Sequence, residues 1–344
     1  MGDVDLILDG TLGEGGGQIL RTALGLSMVT GRSFRIERIR AGRKKPGLQA
    51  QHLTAVLAAA QVCGAEVDGA VLGSQRLEFR PGRVRAGNYQ FEVGTAGSTG
   101  LVLQTVLPGW ALADGVSELI LQGGTHNPLA PPFDFLAEVF LPILRRMGLE
   151  VDAHLEAYGF YPAGGGRIQV RIRPVGRLQG LELLHRGRML EHRIYAVVAR
   201  LPTHIADREV ETIRKKLGWE GKSTSIQVVE SVGPGNYAAV RIRCEQLTEL
   251  FTAFGQIKVP AEKVGAEAAR QAQRWLQADV PVGEHLADQL LIYLALAGEG
   301  VFRTLPPTSH TQTNLEVVRR FLGIPLRLQP QDDQGWICTA GVGR

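Results

Sequence analysis

A glycine-rich segment near the start of the chain, Gly13-Glu14-Gly15-Gly16-Gly17-Gln18-Ile19-Leu20-Arg21, leads into a stretch with helical apolar spacing. Free backbone N–H groups at a helix start, together with the helix dipole, favour an anion such as phosphate. Arg21, one turn into the helix, is placed to bind phosphate oxygens with two parallel hydrogen bonds. The segment is not a P-loop, because no Gly-Lys-Ser/Thr follows. A tight turn with positive φ angles would use the same glycines.

A basic loop is the second candidate anion site. Between Arg32 and Lys45 the chain has seven basic residues and one acid, Glu37. Small residues separate Arg40 from Arg43, so backbone and guanidinium groups can approach a ligand together. The net charge of +4 and the pI near 9.1 are compatible with a polyanionic partner, but such values are common in proteins that bind no nucleic acid. Taken alone, the charge run is more typical of a solvated surface.

A histidine near the carboxyl end is the candidate nucleophile. His310 lies in a polar stretch, residues 305–313, that is predicted to be an irregular loop before a helix beginning at Asn314. An exposed imidazole can attack a phosphorus atom, and a nearby helix N-terminus can accept phosphate. Most loop histidines have no such role. Another polar group, Glu284-His285-Leu286-Ala287-Asp288-Gln289, opens a further predicted helix, where acids also serve as ordinary helix caps.

These candidate sites belong to a unit that occurs three times: strand, turn, helix, strand, polar loop, helix and two strands. A glycine follows the second helix of each unit, as a helix C-cap requires: Gly64, Gly148 and Gly323. The sequence therefore predicts an α+β fold of three pseudo-symmetric βαβαββ repeats. In that arrangement the polar loops at residues 40–45, 123–132 and 305–313 occupy equivalent corners.

The first helix of the third unit comes about a hundred residues later than the repeat would place it. Residues 188–279 contain strands and helices of their own, so we predict that they form a smaller inserted α/β domain. The three-repeat catalytic domain then comprises residues 1–187 and 280–344. Such insertions succeed where the ends of the host chain lie close together at a surface.

Composition and patterning exclude several classes of protein. The longest apolar stretches, such as residues 290–297, are much shorter than the roughly 20 residues of a membrane-spanning helix. Asp3, Asp5 and Asp9 stand where a secretory signal peptide would be basic and then apolar. The three cysteines have neither the spacing of a zinc site nor the density of a disulfide framework. We therefore expect a cytoplasmic protein with reduced, buried thiols.

Taken together, the motifs resemble the RNA 3'-terminal phosphate cyclase family along nearly the whole chain. The matching segments are Gly13 to Arg21, Arg40-Ala41-Gly42-Arg43 with Pro46-Gly47-Leu48, Gln51-His52-Leu53, Gly73-Ser74-Gln75, Gly159-Phe160-Tyr161-Pro162-Ala163-Gly164-Gly165-Gly166, Leu286-Ala287-Asp288-Gln289, and His310 with Thr313-Asn314. The resemblance implies repeats like the C-terminal half of bacterial translation initiation factor three, an inserted domain, and kinship in fold to enolpyruvyl transferases.

The resemblance also implies an activity. Such an enzyme uses ATP and a divalent metal, Mg or Mn, to convert an RNA 3'-terminal phosphate to a 2',3'-cyclic phosphate. The implied route passes through a covalent His310-AMP intermediate and an adenylylated RNA end, and it releases pyrophosphate and AMP.

Site residues are carried over by position in the matching motifs. The resemblance places Glu14 near the metal, and it places Arg21, Arg40 and Arg43 on ATP and RNA phosphates with Gln51 beside them. It assigns the nucleotide to Gln104, Pro131, His285, Leu286, Ala287, Asp288 and Gln289. His285 stands where relatives are expected to have tyrosine.

Two other functions remain open from the sequence. A non-catalytic relative that binds RNA would keep the fold and lose the nucleophile, and His310 in its Thr313-Asn314 context argues against this reading. An enolpyruvyl transferase would share the repeats but would not depend on ATP. The expected partners are RNA with a 3'-terminal phosphate and ATP, with no membrane, and the sequence is compatible with a homodimer.

Overall fold

The computed structural model describes residues 3–94, 96–219 and 224–341. Its first sheet has the strand order β1-β2-β4-β3 and contains β1 (Leu6–Asp9), β2 (Phe34–Glu37), β3 (Glu66–Asp68) and β4 (Leu77–Arg80). β1 and β2 are parallel, and the other neighbours are antiparallel. Helices α1 (Gln18–Thr30) and α2 (Ala50–Cys63) connect the strands. The first helix ends at Gly31 because that residue adopts the left-handed conformation, with φ of 71°.

The second sheet has the corresponding order, β5-β6-β8-β7. Its strands are β5 (Asn88–Glu92), β6 (Ser117–Gly123), β7 (Glu150–Ala157) and β8 (Gly166–Arg173). Helix α3 (Thr99–Ala111) joins β5 to β6. The second connection contains α4 (Phe133–Phe135), a π-helical turn (Leu136–Phe140) and α5 (Leu141–Arg146), which follow one another without a break.

After a short strand, β9 (Leu181–Leu183), the chain enters the predicted insertion. This segment contains β10 (Met189–Ala199), α6 (Thr203–Leu217), β11 (Thr224–Val228), β12 (Gly235–Cys244), β13 (Thr248–Phe254) and α7 (Ala261–Ala278), with the strand order β11-β10-β12-β13. One face of the sheet packs with α6 and α7 around a core of its own, which includes Ile194 and Trp275. The opposite face, which includes Tyr195 and Tyr237, joins the main core.

The chain then completes the sheet that β9 began. It adds α8 (Glu284–Ala297), β14 (Gly300–Thr304), α9 (Ser309–Leu322), β15 (Leu326–Pro330) and β16 (Trp336–Ala340), in the order β15-β16-β14-β9. β9 and β14 are parallel, and the remaining pairs are antiparallel. Three sheets therefore have the same order and direction of strands, and residues 188–279 lie between the first strand of the third sheet and its first helix.

The main hydrophobic core lies where the helices of the three units meet. Helix α1 packs against α2, α3 and α9, and α8 packs against α3 and α9. Every residue of α3 is buried except Gln104, which is half-buried. A polar side chain in an otherwise buried helix marks a place where a ligand or another polar group must lie.

The predicted α+β fold class is confirmed, and some element boundaries are corrected. Strand β2 ends at Glu37 and does not continue to Ile39. Helix α9 begins at Ser309, so the predicted loop before Asn314 is shorter than expected. Strands β9 and β13 were not predicted. Within the described ranges, no helix has both the length and the apolar character needed to cross a bilayer.

Candidate active site

The glycine-rich turn lies at the centre of the candidate site, and side chains from other elements pack directly on its backbone. A Cβ atom on Gly17 would lie 2.6 Å from Cδ2 of His52 and 2.9 Å from Nη1 of Arg21. A Cβ atom on Gly13 would overlap the hydroxyl of Thr313 in α9. A side chain at either position would therefore have to displace its neighbours, and at Gly13 the φ of 58° also favours glycine.

Glu14 connects the predicted nucleophile to the basic loop. Its Oε2 atom is 3.1 Å from Nε2 of His310 and 3.0 Å from Nη2 of Arg43. The side chain of Glu14 is 15% exposed, whereas that of His310 is 48% exposed. The imidazole is thus accessible to a ligand while the carboxylate that orients it is largely enclosed. The structure brings these three predicted residues together.

His310 lies in the first turn of α9 and not in an irregular loop. The side chain of Thr308 caps the helix by accepting a hydrogen bond from the backbone N–H of Thr311 at 3.2 Å. The imidazole is therefore at the positive end of the helix dipole. This position favours a phosphate group beside it.

A chain of hydrogen bonds links Arg21 to Asp288. Arg21 Nη2 donates to Oε1 of Gln18 at 2.6 Å. Gln18 Nε2 donates to Oδ1 of Asn314 at 3.0 Å, and Asn314 Nδ2 donates to the backbone oxygen of Asp288 at 3.1 Å. These bonds fix helices α1, α8 and α9 relative to one another at the site.

Close packing changes the pKa values of Arg21 and Asp288, the two ends of this series of hydrogen bonds. Loss of hydration lowers the pKa of Arg21 to about 10, and the carboxylates of Asp288 and Glu14 oppose the shift. Arg21 therefore remains positively charged at neutral pH. Burial raises the pKa of Asp288 to about 6, while the nearby His310 and Arg21 limit the increase.

Arg21 and Asp288 line a cavity together with Gln104 and Gln289. Three atoms of its lining residues are buried and have no hydrogen-bond partner in the described part of the chain: Gln104 Nε2, Gln289 Oε1 and Tyr293 Oη. Unpaired buried polar groups are costly, so a donor, an acceptor and a hydroxyl left unpaired in one small cavity indicate that water or a polar group of a ligand lies there. Tyr293 was not predicted, because its spacing in the sequence is that of an ordinary buried face of α8.

His52 is a further site residue that sequence reasoning missed. It is 5% exposed, and its Nδ1 atom accepts a hydrogen bond from the backbone N–H of Gln49 at 3.2 Å. Burial, together with the positive charges of Arg21 and Arg40, lowers the pKa of His52 to about 3. The ring is therefore neutral and packs beside Arg21 at the glycine-rich turn. The motif Gln51-His52 at the start of a helix contained this signal, but the prediction selected only Gln51.

Arg40, Gln51 and Pro131 have no direct hydrogen bond to the Glu14 group among the described contacts. Arg40 donates to the backbone oxygens of Lys45 at 2.7 Å and Gly47 at 3.0 Å, and so it shapes its own loop. Gln51 faces the turn at Gly97, and the backbone oxygen of Pro131 lies against the start of α3 at Gly100.

The segment His285 to Gln289 divides between the site and the core. Asp288 and Gln289 line the cavity described above. Leu286 and Ala287 are buried in the hydrophobic core, so their side chains face away from it. The side chain of His285 is 65% exposed and lies near Glu284 at 4.0 Å, next to the inserted segment. Packing within α8 thus explains the two apolar residues of this motif.

A metal site built from protein side chains alone is absent from the described residues, which contain no cluster of three or more His, Cys, Asp or Glu able to hold an ion. Glu14 supplies a single carboxylate. One carboxylate fits an ion such as Mg²⁺ when substrate phosphates provide most of the other ligands. The residues are therefore compatible with a divalent ion held jointly with a polyphosphate.

This fold belongs to a known class of enzymes. The family model for RNA 3'-terminal phosphate cyclase matches residues 12–328, and the chain belongs to this family. The predicted membership of a family of enzymes is thereby confirmed.

Similar proteins named RNA 3'-terminal phosphate cyclase occur in several bacteria. The protein of Koribacter versatilis (strain Ellin345) is 52% identical over 329 residues, covering 95% of this chain and 93% of that protein. The protein of Salmonella paratyphi C (strain RKS4594) is 49% identical over 324 residues, covering 94% of both. The EPSP synthase of Acinetobacter baumannii aligns with 99% of this chain and 66% of its own, at 11% identity and a TM-score of 0.27, a similarity too low to support any conclusion.

Proposed function

We propose that this protein converts an RNA 3'-terminal phosphate to a 2',3'-cyclic phosphate, using ATP and a covalent His310-AMP intermediate. Relatives that match nearly the whole chain are named for the cyclisation of an RNA 3'-terminal phosphate. The contact between Glu14 and the half-exposed imidazole of His310 is the observation that carries the mechanism. Gln104, Asp288 and Gln289, which border the adjacent cavity, are the residues we assign to the nucleotide.

The proposed reaction consists of three displacements at phosphorus. A ring nitrogen of His310 attacks the α-phosphorus of ATP, and pyrophosphate leaves. An oxygen of the RNA 3'-phosphate then attacks the phosphorus of His310-AMP, which returns the imidazole and gives an adenylylated RNA end. The vicinal 2'-OH finally attacks the 3'-phosphate, loses its proton and expels AMP. The covalent step divides one difficult substitution into easier ones.

The protein's own groups have defined tasks in this scheme. Glu14 orients the imidazole, and attack through Nε2 requires this contact to open first. Arg21 and Arg43 approach the turn from two sides and would stabilise charge on the transferring phosphate. The N-terminus of α9 would add its dipole at the same place.

A divalent ion, when bound, would neutralise phosphate charge and help align the attacking and leaving oxygens. Glu14 is the residue that would hold it. Because Glu14 also contacts His310 and Arg43, binding of an ion would rearrange this group.

Labelling with ATP that has a tagged α-phosphate tests the proposal in the absence of RNA. We expect a single covalent label on His310 that is lost in acid and kept in base, as a phosphorus–nitrogen bond is. His310→Ala should abolish the label and the cyclisation of a 3'-phosphate, yet it should still cyclise RNA that is supplied already adenylylated. Normal labelling of His310→Ala would show that the mechanism is wrong.

Arginine variants separate the phosphate site from general stability. Arg21→Ala and Arg43→Ala should each reduce cyclisation by at least about tenfold, because an arginine on a transferring phosphate contributes more than a surface ion pair. Arg320→Ala is the matched control, since it removes an exposed pair with Glu316 on the same helix as His310. Equal activity of all three variants, with coincident melting curves, would remove Arg21 and Arg43 from the site.

A further inference from the structure

A second loop of the first repeat, residues 69–75, has no role in the site described above although it contains the motif Gly73-Ser74-Gln75. Backbone hydrogen bonds join it to residues 39–48, which include the last part of the basic loop. Ile39 N donates to the oxygen of Gln75 at 2.9 Å, Leu48 N to Ser74 at 3.0 Å, and Gly73 N to the oxygen of Leu48 at 2.8 Å. The two loops therefore form one supported surface, which we call the loop pair.

The loop pair presents two large apolar side chains to solvent. Val71 is 62% exposed and Leu72 is 65% exposed. They lie at the tip of a tight turn that is closed by a hydrogen bond from Ser74 N to the oxygen of Val71, at 3.1 Å. Single exposed apolar residues are common, but an adjacent pair held on a rigid turn provides a contact surface.

The loop pair also has positive charge that no neighbouring acid neutralises. Lys44 and Lys45 are exposed and take part in none of the ion pairs of the described residues. In contrast, Arg38 pairs with Asp9, and Arg43 pairs with Glu14. The unneutralised charge is thus next in the chain to Arg43, whose guanidinium reaches the carboxylate that contacts the nucleophile.

We infer that the loop pair binds the RNA strand that leads to the 3'-phosphate. Lys44 and Lys45 contact phosphates upstream of the reacting end, and Val71 and Leu72 pack against a base or ribose. This inference rests on the proposed function, since it gives a path to the substrate of that reaction. Lysine contacts to phosphate and apolar contacts to a base face do not read base edges, so binding is independent of sequence.

The position of the surface favours RNA over other anionic partners. A basic loop with exposed apolar residues would also suit an anionic membrane. However, Arg43 lies on the same loop and its Nη2 atom is 3.0 Å from Glu14, so a chain bound at Lys44 and Lys45 is directed to the reacting group.

The test compares Lys44→Ala/Lys45→Ala with Lys216→Ala/Lys263→Ala, a control that removes the same charge from exposed positions of the inserted segment. Fluorescence anisotropy would measure binding of a decaribonucleotide with a 3'-phosphate over a range of salt concentrations. We expect the loop variant to bind the decamer at least about tenfold more weakly. The slope of log K against log salt concentration should become shallower by about 0.7 for each phosphate that a lysine no longer neutralises. The KM of the loop variant for the decamer should rise equally, while the control stays within twofold of the parent protein.

Two readouts distinguish this inference from the proposed function. Labelling of His310 by ATP, and cyclisation of a dinucleotide with a 3'-phosphate, should be unchanged in the loop variant because neither needs the upstream strand. Val71→Ser/Leu72→Ser should weaken decamer binding without changing its salt dependence. If the loop variant binds the decamer as tightly as the control variant does, the inference is overturned. A loop variant that binds the decamer normally, and loses only its binding to vesicles of phosphatidylserine and phosphatidylcholine, would also overturn it. Absence of His310 labelling in the parent protein would instead refute the proposed function.

Discussion

Replacing Gly17 by alanine should disable the site without disrupting helix α1. The added Cβ atom would lie 2.6 Å from Cδ2 of His52 and 2.9 Å from Nη1 of Arg21, and real Cβ atoms essentially never approach other atoms within 3.0 Å. The ring of His52, whose Nε2 atom would be closer still, must therefore shift, and Arg21 must move with it. The backbone itself is not strained, because Gly17 has a φ of −77°, which alanine adopts readily.

The expected magnitude follows from the packing of these side chains. Overpacking a filled site costs about 1–3 kcal/mol. About 1.4 kcal/mol of transition-state stabilisation corresponds to a factor of ten in rate. If the whole cost falls on the transition state because Arg21 is displaced, labelling of His310 by ATP should slow by about fivefold to 150-fold. Part of any stability loss should be offset by about 0.4–1 kcal/mol, because alanine restricts the unfolded chain more than glycine does.

Gly42→Ala is the matched control, since a Cβ atom there would meet nothing within 4 Å although the residue lies in the neighbouring basic loop. The assay is single-turnover labelling of His310, accompanied by thermal melts of both variants. If Gly17→Ala labels His310 within twofold of Gly42→Ala, the packing of His52 and Arg21 on the turn does not control the reaction and our reasoning fails.

Two further predictions concern the inserted segment. We propose that residues 188–279 form a separate domain, whose ends meet where Arg186 contacts Asp279 at 3.0 Å. Replacing them by a short Gly/Ser bridge should leave the repeats folded. The shortened protein should be less stable, because the face of the inserted sheet that includes Tyr195 and Tyr237 packs on the main core. Loss of all helical circular dichroism would contradict this domain boundary. Burial raises the pKa of Glu249 from 4.5 to about 8. The folded protein therefore holds a proton that the unfolded chain releases, so the free energy of unfolding should fall, by up to about 5 kcal/mol, as pH rises from 4.5 to about 8. In the parent protein the backbone N–H of Gly283 donates to Glu249 Oε1 at 2.6 Å, and Glu249→Gln keeps an acceptor for it. The variant should lose the dependence of unfolding free energy on pH in melts between about pH 5 and 9. If stability changes with pH in the same way in both proteins, this prediction is wrong.

Local signals predicted most helices and strands but failed where burial overrides them. Helix α1 has apolar residues at helical spacing and a terminal glycine, and both were readable. Strand β13 was missed because the buried, acidic Glu249 interrupts its apolar pattern. Strand β9 has three residues, too few to show a period.

The candidate site could be predicted as a set of residues but not as an arrangement. Glu14, Arg43 and His310 were identified by their motifs, while their meeting at one carboxylate depends on tertiary packing that no local pattern records. The start of α9 was predicted too late because Ser309 and Thr311 favour helices weakly. Thr308 was the available signal, since threonine commonly caps a helix N-terminus.

The hydrogen bond between Gln18 and Asn314 joins residues 296 positions apart in the chain. At a synthesis rate of about 5–20 residues per second, the glycine-rich turn would be made roughly 15 to 60 s before α9. During that interval α1 lacks one of the helices that cover it, and His310 has not yet been made. A ribosome that stops early would therefore release a protein with its basic loop but without His310. Under the proposed function, such a fragment would bind RNA ends without processing them.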